Sequence, residues 1–169
     1  MLYEKASMLA QKLVHELLQK GYVLSLAESC TSGLVSAFIG DISGASNVFW
    51  GSFVCYSSQA KIKMLGIDKK ILGQYGNVSR QTASEMAFKA LQHSNVNIAA
   101  AVTGIAGPSG DGSDIPVGTV WIAAAYKISG GNSAVINRKE KEFHFSKTRQ
   151  EIRLKAAIAV FEELLEILL

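Results

Sequence analysis

The unbroken apolar stretches of this chain, such as Ile98–Val102 and Val120–Tyr126, are only strand-length, and they lie among segments with helical spacing. A helix that crosses a bilayer needs roughly 20 apolar residues, so no membrane association through a spanning helix is expected. What remains is an alternation of two periods along one chain. Ala6, Leu9, Leu13 and Leu17 form one apolar helical face, and Gly21 stands where a C-terminal cap belongs. Tyr22–Ala27 reads as a short buried strand, Leu34–Ile39 as a helix start and Val48–Tyr56 as an aromatic, β-branched strand. Ser57–Leu65 reads as a helix closed by Gly66, and Ser79 as the N-cap of a helix through His93. Ile98–Val102 is the most apolar strand and is placed at the centre of the sheet. A Gly-rich loop, Thr103–Val117, follows it, then a strand over Gly118–Tyr126. A turn at Gly130, Gly131 and Asn132 leads to Val135–Phe145, whose charged middle (Arg138 to Glu142) marks an edge strand. Ser146 is the expected cap of a last helix running to about Leu168. Helices between the early strands imply parallel pairing, and the short late turn implies antiparallel pairing. The expectation is one domain over residues 1–169, an α/β/α three-layer sandwich on a mixed, mainly parallel sheet.

Composition narrows the class of partner. A net charge of +3 is too small to call for nucleic acid or an acidic membrane surface. Two cysteines, Cys30 and Cys55, build neither a disulfide framework nor a four-ligand zinc site, so a reduced cytoplasmic setting is expected. Glu4, Lys5, Lys12 and Glu16 at helical spacing are unlike a signal peptide. Charged residues are 18% of the chain, below the roughly 25% usual for soluble domains, which favours a covered surface and a homo-oligomer, a dimer first. The aliphatic last helix (Ile158, Phe161, Leu164, Leu165, Leu168) fits that reading and fits ordinary core packing as well.

Three segments could carry chemistry. Glu28-Ser29-Cys30-Thr31-Ser32-Gly33 lies between an apolar strand and a helix, where the first helical N–H groups suit a phosphate or a developing oxyanion. Ser29 is one nucleophile candidate. Cys30 is its rival, since a helix N-terminus can acidify a thiol, although a buried, inert cysteine is commoner. His15, His93 and His144 fit no triad pattern and read as surface or satisfied residues. A buried, neutral lysine can replace histidine as the base. Lys61 and Lys63 follow a strand end, and two residues apart on a helix only one of them can face a shared site; spacing does not decide which. Ser-x-x-Lys spacing is absent, because Ser32 stands three residues after Ser29. Thr103 to Gly112 follows the central strand, and its glycines allow backbone to approach a ligand. It carries no dinucleotide or NTP fingerprint. Arg149 and Arg153, one turn apart, could grip a phosphate or simply face solvent.

Together these segments resemble the CinA C-terminal domain family, whose characterised members are nicotinamide-nucleotide amidases. The resemblance rests on Ala27-Glu28-Ser29-Cys30-Thr31, Tyr56-Ser57 with Ala60-Lys61, Gly76-x-Val78-Ser79, Gly104-Ile105-Ala106-Gly107-Pro108, Pro116-Val117-Gly118-Thr119-Val120, and Arg149 with Arg153. It covers nearly the whole chain. It implies a metal-independent, cofactor-free amidohydrolase that converts nicotinamide mononucleotide to nicotinate mononucleotide and ammonia. It implies Ser29 as nucleophile, Lys61 rather than Lys63 as base, and Tyr56 as an orienting or relaying group. Cys30, Thr31 and Gly33 would belong to the oxyanion turn, Thr103, Gly104 and Gly107 to the ligand lining, and Arg149 and Arg153 to the 5′-phosphate site, from either subunit. The chain departs from the family pattern at Ser32, usually glycine, and at Ser58-Gln59, often Asn-Glu. Ser32 adds a Cβ beside the proposed oxyanion turn, which would narrow the turn or forbid a positive φ there, and Gln59 removes a carboxylate that could tune the lysine. A non-catalytic nucleotide-binding module linked to competence or DNA-damage physiology is the alternative.

Overall fold

A computed structural model describes residues 1–130 and 133–169. Its elements are α1 (Leu2–Lys20), β1 (Leu24–Glu28), α2 (Leu34–Gly40), β2 (Phe49–Val54), α3 (Ser58–Leu65), α4 (Lys69–Tyr75), α5 (Arg80–Ser94), β3 (Ile98–Gly104), β4 (Thr119–Gly130), β5 (Ser133–His144) and α6 (Arg149–Leu168). Of the turn expected at Gly130, Gly131 and Asn132, Gly130 ends β4, and Gly131 and Asn132 lie outside the described residues.

The five strands lie in the order β2-β1-β3-β4-β5. β1 pairs in parallel with β2 and β3, while β4 pairs antiparallel with β3 and with β5. β4 therefore runs against the other four. The sheet is mixed as expected, with its parallel pairings confined to the β2-β1-β3 half.

Alternating side chains send each strand into two separate cores. Leu24, Leu26, Ile98, Val102 and Ile122 pack with α1, α2 and α6. Ala27, Ala99, Ala101, Ala123 and Ala125 face α5 and its neighbours. Alanines on that second face let α5 lie across β1, β3 and β4 together. Apolar residues of α6 complete the first core: Phe161 and Leu164 are fully buried against the rest of the same chain. The aliphatic character of that helix is accounted for by core packing within one chain and supplies no exposed face for a dimer.

Differences from the sequence expectation have local causes. α6 is capped by Thr148 rather than Ser146, because Thr148 and Glu151 form a reciprocal capping box. α4 buries no residue, so no apolar period announced it; Asp68 caps it by accepting from Lys70 N at 2.9 Å. The charges of β5 do more than protect an edge. Alternate residues reach opposite layers: Glu140 pairs with Arg80 of α5 at 3.1 Å, and Lys139 with Glu163 of α6 at 3.0 Å.

The parallel half decides where chemistry can sit. Glu28 is in register with Val54 on one side and Val102 on the other, so β1, β2 and β3 end together. The Ser29 turn, the Ser57 turn and the Gly104 loop are thereby brought to one sheet edge.

Candidate active site

A cleft of about 440 Å³ opens at that edge, lined by Ser29, Cys30, Tyr56, Lys61, Thr103 and Arg149 among others. Its floor is a contact between two buried polar side chains. Lys61 Nζ donates to Ser29 Oγ at 3.0 Å, and Lys61 is 1% exposed while Ser29 is 6% exposed. The fold produces this pair through two ordinary devices. Ser57 caps α3 by accepting from Ala60 N at 3.1 Å, which fixes the helix phase. Lys61 then points inward and Lys63 points to solvent. Burial lowers the Lys61 ammonium pKa from the ordinary lysine value, since a charged form in an apolar setting is penalised. No carboxylate pairs with it among the described residues, a condition that favours a neutral amine.

Cys30 stands beside Ser29 with the opposite electrostatics. Burial pushes its thiol up to about 12, only partly offset by its own backbone N–H and by the nearby Lys61. A thiol that stays protonated is a poor nucleophile at neutral pH. Cys55 is likewise pushed up to about 11 by burial.

The Ser29 turn is built around Glu28, which sequence reasoning placed in the turn but gave no role. Its carboxyl group is fully buried. Oε2 accepts from Thr31 Oγ1 at 2.7 Å, Gly33 N at 3.0 Å and Val35 N at 3.1 Å. Oε1 accepts from Ser36 N at 2.9 Å and from the Ser36 hydroxyl. An internal carboxylate thus occupies the positive N-terminus of α2, the place that the sequence offered to a ligand. The Ser29 and Ser32 amides are committed too, to Val102 O at 2.9 Å and Ser29 O at 3.1 Å. The turn's remaining candidate donors are the amides of Cys30 and Thr31. The signal for Glu28 was available: an acidic residue ends a strand one residue before Ser29, three before Thr31 and five before Gly33.

The other proposed site residues divide. Thr31 and Gly33 serve Glu28 and do not line the cleft. Arg153 does not line it either. Its guanidinium donates to Cys30 O at 3.2 Å and Thr31 O at 2.6 Å, bracing the turn from behind. Arg149 does line the cleft; it donates to Tyr56 Oη at 2.7 Å and to the Gly107 carbonyl. Tyr56 is therefore tied to Arg149 rather than to Lys61. Thr103 lines the cleft, but its hydroxyl donates to Asn77 O at 2.8 Å. Gly104 lies too close to β4 for a side chain: a Cβ there would meet Thr119 O at 2.7 Å. Gly107, at φ 79, would put a Cβ 2.6 Å from Val117 Cγ1. Both glycines are required by packing, whatever they offer a ligand. His15, His93 and His144 all lie outside the cleft. No group of three or more His, Cys, Asp or Glu able to hold a metal converges among the described residues.

Of the departures from the family pattern, Ser58 lines the cleft, whereas Ser32 and Gln59 lie outside it. Gln59 is exposed. Ser32 is exposed and does adopt the left-handed conformation, at φ 51, so its Cβ strains the turn without narrowing the site.

A mixed α/β sheet whose parallel strand ends carry a serine paired to a buried lysine defines the class: an α/β protein with a Ser–Lys cleft at its carboxyl edge. The family model of the CinA C-terminal domain matches residues 6–168, and the chain belongs to that family. It is 40% identical over 158 residues to the nicotinamide-nucleotide amidohydrolase PncC of Enterobacter agglomerans, covering 89% of this chain and 92% of that protein. It is 44% identical over 153 residues to a CinA-like protein of Fervidobacterium nodosum, covering 90% of this chain but 36% of that longer protein. Other curated relatives are also long, and the chain spans about a third of them (36% in Caldicellulosiruptor saccharolyticus). The crystal structure of the competence/damage inducible protein CihA from Agrobacterium tumefaciens superposes with a TM-score of 0.86 at 37% identity, over 96% of this chain and 95% of that one. No helix among the described residues is long and apolar enough to cross a membrane.

Proposed function

We propose that the chain is an amidohydrolase that converts nicotinamide mononucleotide to nicotinate mononucleotide and ammonia, with Ser29 as nucleophile and Lys61 as general base. The observation that carries this reading is the 3.0 Å contact between Ser29 Oγ and the buried Lys61 amine. The relative of nearly equal length named for that activity supports the substrate.

An amide is a weak electrophile with a poor leaving group, so the reaction needs an activated nucleophile and a proton for the departing nitrogen. Ser29 Oγ attacks the carboxamide carbon as its proton passes to the neutral Lys61 Nζ. The oxyanion that forms is held by backbone N–H groups, with Cys30 the cleft-lining candidate, at about 3–4 kcal/mol per well-placed donor. Lys61 returns the proton to the leaving nitrogen, the C–N bond breaks and ammonia departs, leaving an acyl-serine. Water then adds, its proton again taken by Lys61, and collapse restores Ser29 and releases the carboxylate. Arg149, the cleft's guanidinium, faces the 5′-phosphate, with Tyr56 setting its orientation. Cytoplasmic location and assembly as a homodimer complete the proposal.

The test is ammonia release from nicotinamide mononucleotide without added metal. Ser29→Ala is expected to lose at least about a thousandfold in rate. Retained rate in that variant, or loss on Cys30→Ala instead, would overturn the serine mechanism.

A further inference from the structure

Asn77 belongs to no part of the Ser29–Lys61 machinery, yet it lines the same cleft and is held there at two points. Its backbone carbonyl accepts from the buried Thr103 hydroxyl at 2.8 Å. Its side-chain oxygen accepts from Ser58 Oγ at 2.9 Å. Ser58 lies three residues before Lys61 on α3, so both side chains emerge on the same helix face, toward the cleft. With Oδ1 occupied by Ser58, the amide is oriented and Nδ2 becomes its free end. Nδ2 carries two N–H donors, and neither finds an acceptor among the described residues.

Depth fixes what such a donor can meet. Ser29 and Lys61 are buried, whereas Ser58 and Asn77 are half-buried, so the amide stands nearer the mouth than the reacting pair. A substrate whose carboxamide reaches Ser29 places its pyridinium ring next and its sugar beyond the ring, toward the mouth where the Asn77 amide stands. Chemistry agrees with depth. A neutral amide does not balance a phosphate, and the cleft has Arg149 for that, on α6 across the sheet from α3. A neutral N–H donor matches a hydroxyl oxygen.

We propose that Asn77, oriented by Ser58, is a specificity-determining residue that donates from Nδ2 to a ribose hydroxyl of the substrate. This rests on the amidase reading of the cleft. Asn77 acts on binding and substrate choice and takes no part in proton transfer.

The experiment compares nicotinamide mononucleotide with its 2′-deoxy and 3′-deoxy analogues in wild type, Asn77→Ala and Ser58→Ala, each checked for an unchanged melting profile. Wild type is expected to lose about tenfold in kcat/KM on one of the two analogues, the worth of one hydrogen bond of roughly 1.4 kcal/mol. Asn77→Ala should lose about tenfold on the intact nucleotide, chiefly through KM, and should no longer distinguish that analogue. Ser58→Ala, which frees the amide to rotate, should fall between them. An Asn77→Ala enzyme that discriminates as wild type does, or that loses kcat equally on all three substrates, overturns the inference. If wild type releases no ammonia at all, the amidase reading fails on its own. The same three ligands measured by calorimetry then decide the inference: equal discrimination by wild type and Asn77→Ala would overturn it.

Discussion

Two strand-to-helix turns meet at the cleft, and they solve the same problem differently. The turn after β2 is capped in the ordinary way: Ser57 has extended backbone and accepts from the helix it opens. The turn after β1 is not. Its helix N-terminus is filled by the side chain of the preceding strand's last residue, Glu28, while Ser32 and Gly33 take positive φ values of 51 and 88. The ordinary turn carries Lys61, the proposed base, and the strained one carries Ser29, the proposed nucleophile. The lesson is that a helix N-terminus beside a serine is not by itself an oxyanion site, because the protein can satisfy those donors from within. What the Glu28 carboxylate supplies is a fixed position for Ser29.

The sharpest break of this comparison is Lys61→Met. Activity should fall about a thousandfold or more, in line with loss of a general base in a coupled pair. Stability should nevertheless rise by about 0.5–2 kcal/mol, since a buried amine is replaced by an apolar chain of similar shape. The pH dependence gives the sign. Burial lowers the folded pKa of Lys61 below the unfolded value near 10.5, so between the two values the unfolded chain binds more of its proton than the folded chain does. In the window between those values wild-type stability therefore rises with pH, and Lys61→Met should lack that slope in melting experiments.

Glu28→Gln should come next. It places an amide NH2 against donors that need an acceptor, and should cost roughly 2–4 kcal/mol by denaturant unfolding. Activity at a temperature where the variant remains folded should drop by tens-fold, through kcat, as the turn loosens. An unchanged kcat would mean that Ser29 does not depend on Glu28. The smallest effect is expected at Ser32→Gly, which relieves left-handed strain and should raise stability by about 0.5–1 kcal/mol with activity unchanged.

Sequence reasoning reached the sheet and its mixed pairing, because apolar periodicity and turn residues report burial directly; that the three turns serve one site was implied only by the family resemblance. It could not separate Lys61 from Lys63 without the family resemblance. Helix phase, set from the Ser57 cap, turns Lys61 inward beside Ser29 and leaves Lys63 exposed. Sequence reasoning assigned Thr31, Gly33 and Arg153 to the ligand, whereas all three serve the turn itself. Such an error is inherent in one-dimensional reading: a conformational turn and a ligand-binding turn use the same residues, and only the direction of each donor tells them apart. Glu28 was overlooked for a related reason. A charged residue at a strand end looks solvent-facing until the helix that closes over it is in place. α4 escaped notice because it buries nothing, so its sequence has no periodicity to detect.

The account depends on an uncharged amine beside the Ser29 hydroxyl. NMR titration of the Lys61 side chain, labelled at Cε and assigned by its loss in Lys61→Met, measures that state directly. The account predicts a midpoint clearly below the ordinary lysine value of 10.5. A midpoint at or above that value would leave Lys61 protonated when catalysis must begin, and would contradict it.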